Sequence, residues 1–193
     1  MKEDILEQIA DDYLNFKGFF TVHNVKFKPA ETHPEYFKRD DCVDSDVDVV
    51  GFHPKNEGVA RVWVVSCKSW QAGFDPKARI AAIEGNKILA GKEAWRGFRE
   101  LVRTKWVDAL ITKIESLTGS REFTYVTAVT RLIGDRSVWE TYQPFIDKLQ
   151  GNPIKILTLK EMLDDLDSNM KNTLAASEVG RLLQVIKASG WQP

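Results

Sequence analysis

Cysteine and histidine are scarce in this 193-residue sequence, with two of the first and three of the second. Cys42 and Cys67 are too few and too far apart for a disulfide framework or a four-thiolate zinc centre. Cys67 reads as a small core residue. His23, His33 and His53 share no helical or hairpin spacing that would present two rings to one metal, which leaves them structural or surface roles. Long apolar runs are missing too: no stretch approaches the ~20 uninterrupted apolar residues of a membrane span. The Met-Lys-Glu-Asp opening lacks the apolar block and small-residue cleavage site of a secretory signal. A cytoplasmic protein with no membrane partner is the expectation. Internal repeats, low-complexity linkers and helix-turn-helix or zinc-finger patterns are also lacking, so no motif is built to read a particular base sequence.

What is present suits a globular chain. An apolar content of 43% beside 28% charged residues excludes a disordered or membrane class and supplies enough side chains for a sizeable core. The length fits a single domain over 1–193, with a core at about 3–157 and a helical extension at about 158–193. The net charge of −1 conceals an asymmetry. Residues 1–48 carry twelve acidic and six basic side chains, whereas residues 75–113 carry nine basic and five acidic. An acidic pocket packed beside a basic surface would suit metal-assisted chemistry on a polyanion.

Periodicity supplies the elements. Ile5, Ile9 and Leu14 mark an amphipathic helix over 3–16, stopped by Gly18. Residues 19–27 read as a strand with an irregularity near His23 and Asn24, and residues 28–44 as a loop. Two valine-rich runs, 46–50 and 62–68, flank a segment containing Pro54, Asn56 and Gly58, which predicts an antiparallel hairpin. A helix near 93–107 would put Phe98, Leu101 and Val102 on one side and Arg96, Arg99 and Arg103 on the other. Residues 123–133 form a buried strand, a helix over 138–149 covers it, and 153–157 is a further short strand. Thr158 and Glu161 have capping-box spacing at the start of another helix, and Val179, Leu182, Leu183 and Ile186 stripe the last. The order implies a mixed α/β layer fold.

The polar residues inside the two valine runs carry the chemistry. Alternate strand residues share a face, so Asp46 and Asp48 should point one way, and Ser66 and Lys68 should likewise share a face. Burying such groups is costly unless they are paired or hold a metal. Solvated edge charges, or an ordinary salt bridge from Lys68 to either aspartate, would also account for them.

With Glu7, the strings Asp46-Val47-Asp48-Val49-Val50 and Ser66-Cys67-Lys68-Ser69-Trp70 resemble the restriction-endonuclease-like, or PD-(D/E)XK, superfamily. The order of elements over roughly 3–157 agrees with it. The resemblance implies a mixed β-sheet flanked by helices, with additional C-terminal helices. It also implies Glu7 as the helix acid, Glu3 being the alternative, Asp48 as the metal-binding aspartate and Lys68 as the motif lysine. Ser66 stands where the family has its second acid. The Cys-Lys-Ser-Trp string is similar to the Mrr-like branch, in which a neutral glutamine can occupy that position.

Phosphodiester hydrolysis needs an activated water, neutralisation of phosphate charge and support for the leaving oxygen, all of which a divalent ion supplies. Mg²⁺ or Mn²⁺ held by Asp48 with Asp46 or Glu7 would give a sparse oxygen cage completed by substrate phosphate, with Lys68 on the water or the phosphate. Ser66 adds no negative charge, so a nuclease fold that binds nucleic acid or a protein without cutting is the alternative. Arg96, Arg99, Arg103 and Lys77 are candidate phosphate contacts on DNA, and Trp70 a candidate base-stacking residue, although solvated charges and core packing are their ordinary roles. Restriction-type cleavage of two strands often uses two sites, which implies a homodimer.

Overall fold

Valine-rich alternation closes three consecutive strands into a meander, to which two buried strands add in parallel. The computed structural model describes residues 4–168 and 177–190. Glu3, part of the C-terminal extension (169–176) and residues 191–193 therefore lie outside the described residues. Helix α1 (Ile5–Phe16) precedes β1 (Phe20–Phe27), the short α2 (Lys38–Asp41), β2 (Ser45–Phe52) and β3 (Val62–Lys68). Next come α3 (Pro76–Glu84), the small hairpin β4 (Ile88–Leu89) and β5 (Lys92–Glu93), α4 (Arg99–Val102), α5 (Thr104–Thr118) and β6 (Thr124–Val129). The chain continues through α6 (Ser137–Glu140), α7 (Gln143–Lys148), β7 (Ile154–Thr158), α8 (Leu159–Ser168) and α9 (Glu178–Ala188). The main sheet runs β1-β2-β3-β6-β7, antiparallel across the first three strands and parallel across the rest. The expected mixed α/β fold is therefore present.

Inward of the largely exposed edge strand β1, the sheet buries both faces. Every residue of β6 is buried, as expected of a strand with helices on either side. One face carries Val64, Tyr125 and Val129 against Phe98, Leu101, Trp106 and Trp139. The other carries Val49, Val65, Val126 and Ala128 against Leu6, Ile9, Leu14 and Met162. Gly51 lets α1 approach β2 closely: a Cβ there would lie 3.1 Å from both Leu14 Cδ1 and Phe19 Cδ1. That approach fixes where the first turn of α1, and hence Glu7, sits over the sheet.

Several expected elements are refined. The β1 irregularity is Asn24, with φ +50°. The capping box forms: Glu161 N–H donates to Thr158 Oγ1 (3.2 Å) and Thr158 N–H to Glu161 Oε2 (2.8 Å). The single helix over 93–107 does not form. A 3₁₀ turn (Ala94–Phe98), α4 and α5 replace it, with Arg103 extended between the two helices. Gly97 is a poor helix residue, and burial of Phe98 among Trp70, Phe74 and Trp139 outweighs local propensity. Pro144 likewise divides the helix expected over 138–149: it has no N–H to bond back to the α6 turn, so it sits in the first turn of a new helix behind extended Tyr142. The strand expected over 123–133 ends at Val129, and 28–44 includes α2. Among the described residues, no helix is long and apolar enough to cross a membrane.

Candidate functional site

Strands β2 and β3 part where the sequence places its charges. Their pairing runs from Phe52–Val62 to Val49–Val65, whereas β1 stays paired with β2 as far as Ser45. Beyond Val49 the Asp48 side chain bridges the gap, its Oδ2 accepting the Cys67 N–H at 2.5 Å. A carboxylate thus takes a donor that a ladder carbonyl would otherwise satisfy. Lys68, one residue further along β3, turns its Nζ to Ser66 Oγ at 2.9 Å and lies 5.1 Å from the Phe98 ring centroid.

The geometry departs from the simple salt bridge between Lys68 and an aspartate. Asp48 is bonded to backbone and Lys68 to a hydroxyl, although the Lys68 charge still favours ionised Asp48. Burial pushes the Asp48 carboxyl up, the Cys67 N–H and Lys68 oppose the rise, and the charges of Asp46 and Glu100 add to it, leaving it raised. Glu7, in the first turn of α1, is raised in turn by burial and then by the charge of Asp48, with Asp4 and Asp46 contributing. Glu7 thus senses the charges of Asp48 and Asp46, and Asp48 that of Asp46, which is the exposed one of the three. Burial and the charges of Asp48 and Glu7 push the Cys67 thiol far up, consistent with a packing residue.

Ser66 is one of several buried polar residues. Its hydroxyl accepts from Lys68, while on the neighbouring strand burial and then the charge of Glu100 raise the Tyr125 pKa well above the ordinary phenol range, Ser66 opposing the rise. The Tyr125 hydroxyl donates to Glu100 Oε1 at 2.5 Å. Tyr125 is fully buried and Glu100 only 3% exposed. Sequence reasoning missed this glutamate, since an acid between Arg99 and Leu101 has the pattern of any solvated helix face. Tyr125 left one signal: a phenol in a wholly buried strand needs a hydrogen-bond partner.

The expected nucleic-acid residues gather beside these buried groups. A cleft of about 660 Å³ is lined by residues including Trp70, Arg79, Lys92, Arg96, Phe98 and Arg99, so the Phe98 ring contacted by Lys68 forms part of its wall. A second hollow of about 340 Å³ shares Arg96 and Arg99 and adds Arg103 and Lys105, but also Glu35, Asp40 and Asp41. The cations rest on aromatic faces: Arg79 on Trp70 at 4.1 Å, Arg99 on Trp106 at 4.8 Å and Arg103 on Trp95 at 4.4 Å. Arg96 pairs with Glu93 at 2.9 Å. Burial pulls the Arg79 and Arg99 guanidinium pKa values down. Trp70 has one face occupied by Arg79 and packs against Phe74 and Phe98, while Lys77 projects from α3 into solvent.

Among the described residues, no three His, Cys, Asp or Glu side chains are grouped as a metal centre. No family model and no curated protein matches the chain. One solved structure, of a protein of unknown function, AF1548, superposes with a TM-score of 0.40 at 13% identity, covering 95% of this chain and 76% of that one.

Proposed function

We propose that this chain is a restriction-endonuclease-like phosphodiesterase acting on DNA, with Asp48 and Lys68 at its centre. The observation that carries the reading is the meeting of Asp48 and Lys68 where β2 and β3 part, with the Phe98 ring linking Lys68 to an arginine-lined cleft. That arrangement puts a carboxylate and an ammonium beside a surface suited to a phosphate backbone.

The acids fit a sparsely held Mg²⁺ or Mn²⁺. Asp48 and Glu7 are both raised by burial and by neighbouring negative charge, a cost that a divalent cation would relieve. Asp48 would hold the ion, with exposed Asp46 or Glu7 assisting, and water and phosphate oxygens would complete the ligand set, as is common for Mg²⁺. When bound, such an ion supplies charge neutralisation and an acidified water. Lys68, held by Ser66, orients the phosphate or the attacking water, and Arg79, Arg96 and Arg99 fix the backbone. Two strands call for two such sites, hence a homodimer, and the reading takes a cytoplasmic setting.

A second reading has one observation in its favour: the described acids do not form a preassembled three-ligand group. In that case the fold binds nucleic acid or a protein without cutting. Incubating linear, nicked and single-stranded DNA with Mg²⁺ or Mn²⁺ separates the two. Metal-dependent cleavage that disappears in folded Asp48→Ala and Lys68→Ala variants supports hydrolysis. Salt-sensitive binding without cleavage supports the module.

A further inference from the structure

Beyond α3 the chain makes a narrow apolar projection at the rim of the arginine cleft. Strands β4 and β5 pair Ile88 with Glu93 and Leu89 with Lys92, and the Ala94 N–H donates to the Lys87 carbonyl at 2.9 Å, so buried Ala94 anchors the ribbon at its base. The two residues joining the strands both have positive φ, +49° at Ala90 and +76° at Gly91, a tight turn in which asparagine usually precedes glycine. Alanine is strained there, but it keeps the tip small and without a polar side chain. A Cβ on Gly91 would meet no atom within 4 Å. Ile88 is 63% exposed and Leu89 39%. Single exposed aliphatics are ordinary on a protein surface; these two are adjacent, on a projecting ribbon.

Cations surround them. Lys87 and Lys92 lie on the ribbon itself, and Leu89 and Lys92 line the cleft together with Arg79, Arg96 and Arg99. Among the described residues, Lys87, Lys92, Arg79 and Arg99 are in no ion pair. Aliphatic side chains ringed by unneutralised positive charge match a polyanion with an apolar interior, which is what a DNA duplex offers: phosphates outside, base-pair faces within. A second copy of this chain would bring like charges together, and two side chains fall far short of the ~800 Å² per partner that a stable protein interface buries. The Ala-Gly tip carries no donor or acceptor to read base edges, so its fit is to shape and not to sequence.

We propose that the hairpin of β4 and β5 is a wedge that enters the minor groove and sets Ile88 and Leu89 against an opened base step, so that the preferred substrates are duplexes whose stacking is already interrupted. The proposal deepens the DNA reading above and rests on it. Apolar wedges of this kind unstack a step and kink the duplex, and the cost of unstacking is least where a bulged nucleotide or a nick has broken the stack. Lys87 and Lys92 take the flanking phosphates, and the kink carries the backbone into the arginine cleft.

Fluorescence anisotropy on the full chain, with chelator present to prevent cleavage, compares a fully paired duplex with the same duplex carrying a one-nucleotide bulge. The parent should bind the bulged form at least about tenfold more tightly, the order expected for burying one such side chain. In Ile88→Ser/Leu89→Ser that preference should shrink to within about twofold, while the slope of log affinity against log salt stays at the parent's value, since no cation is removed. Lys87→Gln/Lys92→Gln should do the reverse, lowering the slope by about two and keeping the preference. A 2-aminopurine base beside a nick should brighten when the parent binds and not when the serine variant does. Both serine positions are exposed, so the variant should keep the parent's Tm. A preference or a brightening that survives in the serine variant overturns the proposal, as does a parent with no preference even if it cleaves DNA. Self-association of the parent that the serine substitutions abolish assigns the aliphatics to a second copy and also overturns it. Bulge preference that depends on Ile88 and Leu89 in a protein that cuts no DNA with Mg²⁺ or Mn²⁺ upholds the wedge and removes the phosphodiesterase reading.

Discussion

Replacing Lys105 with methionine leaves Asp41 buried without its counter-charge and tests how the segment between β1 and β2 is anchored beside the basic groove. Asp41 is 1% exposed in its side chain and Lys105 14%, with Nζ 2.6 Å from Oδ2. The same carboxylate takes the Phe37 N–H at 2.7 Å, and Lys105 also donates to the Glu35 carbonyl at 3.1 Å. Removing one partner of a buried pair costs about 3–5 kcal/mol; because Lys105 retains some exposure, water can enter and the loss should lie near the lower end, about 3 kcal/mol. For a chain of this size that corresponds to a fall in Tm of about 6–12 °C. Burial pushes the Asp41 carboxyl up, but the hydrogen bonds from Lys105 and Phe37 outweigh it and hold the group below the ordinary aspartate range. A carboxyl lowered on folding contributes stability above its unfolded pKa, and that contribution is lost as pH falls through the folded value. The Tm gap between parent and Lys105→Met should therefore be full at neutral pH and close as the solution is acidified below about pH 4. Calorimetric unfolding across that range measures it. A Tm unchanged at pH 7, or a gap that widens in acid, refutes the reasoning.

Asp48→Asn should stabilise the metal-free protein at neutral pH. Its folded carboxyl is raised, so ionisation penalises the folded state, and the advantage of the variant should grow as pH rises above about 4 and vanish below it. Urea midpoints across pH would show this, and saturating Mg²⁺ should reverse the order by stabilising only the parent. Arg99→Gln should weaken binding to a DNA duplex across sequences and reduce the slope of log affinity against log salt by about one, as for one lost phosphate contact. A slope equal to the parent's in fluorescence titrations removes Arg99 from the phosphate track. Thr158→Ala should cost about 1 kcal/mol through loss of the capping box, a Tm decrease of roughly 2–4 °C.

Much of the fold was legible because its signals are local. Alternation in 46–50 and 62–68 requires strands whatever surrounds them, and Thr158 with Glu161 names a helix start through hydrogen bonds spanning three residues. The departures arise where tertiary packing overrules periodicity. Arg96, Arg99 and Arg103 have helical spacing, yet they sit on a 3₁₀ turn, α4 and the extended residue between two helices. They still line the same hollow, because Trp95 and Trp106 stack against them. Asp48 and Lys68 could be picked out because charge inside a valine-rich strand is unusual. Glu100 could not, since what distinguishes it is a hydrogen bond to a tyrosine 25 positions away. Ser66 thus read as a missing acid, whereas in the fold its hydroxyl is the group that accepts from the Lys68 ammonium.

The measurement that bears most directly on the account is single-turnover cleavage of a labelled DNA duplex with Mn²⁺ and with chelator, by the parent and by Asp48→Asn and Lys68→Met proteins shown to be folded. The account predicts product only with metal and only from the parent, with each variant slower by at least about 100-fold, as expected when a group essential to the transition state is removed. Cleavage by the parent that persists at the same rate in both variants, or no cleavage of any DNA form at any metal concentration, would contradict it.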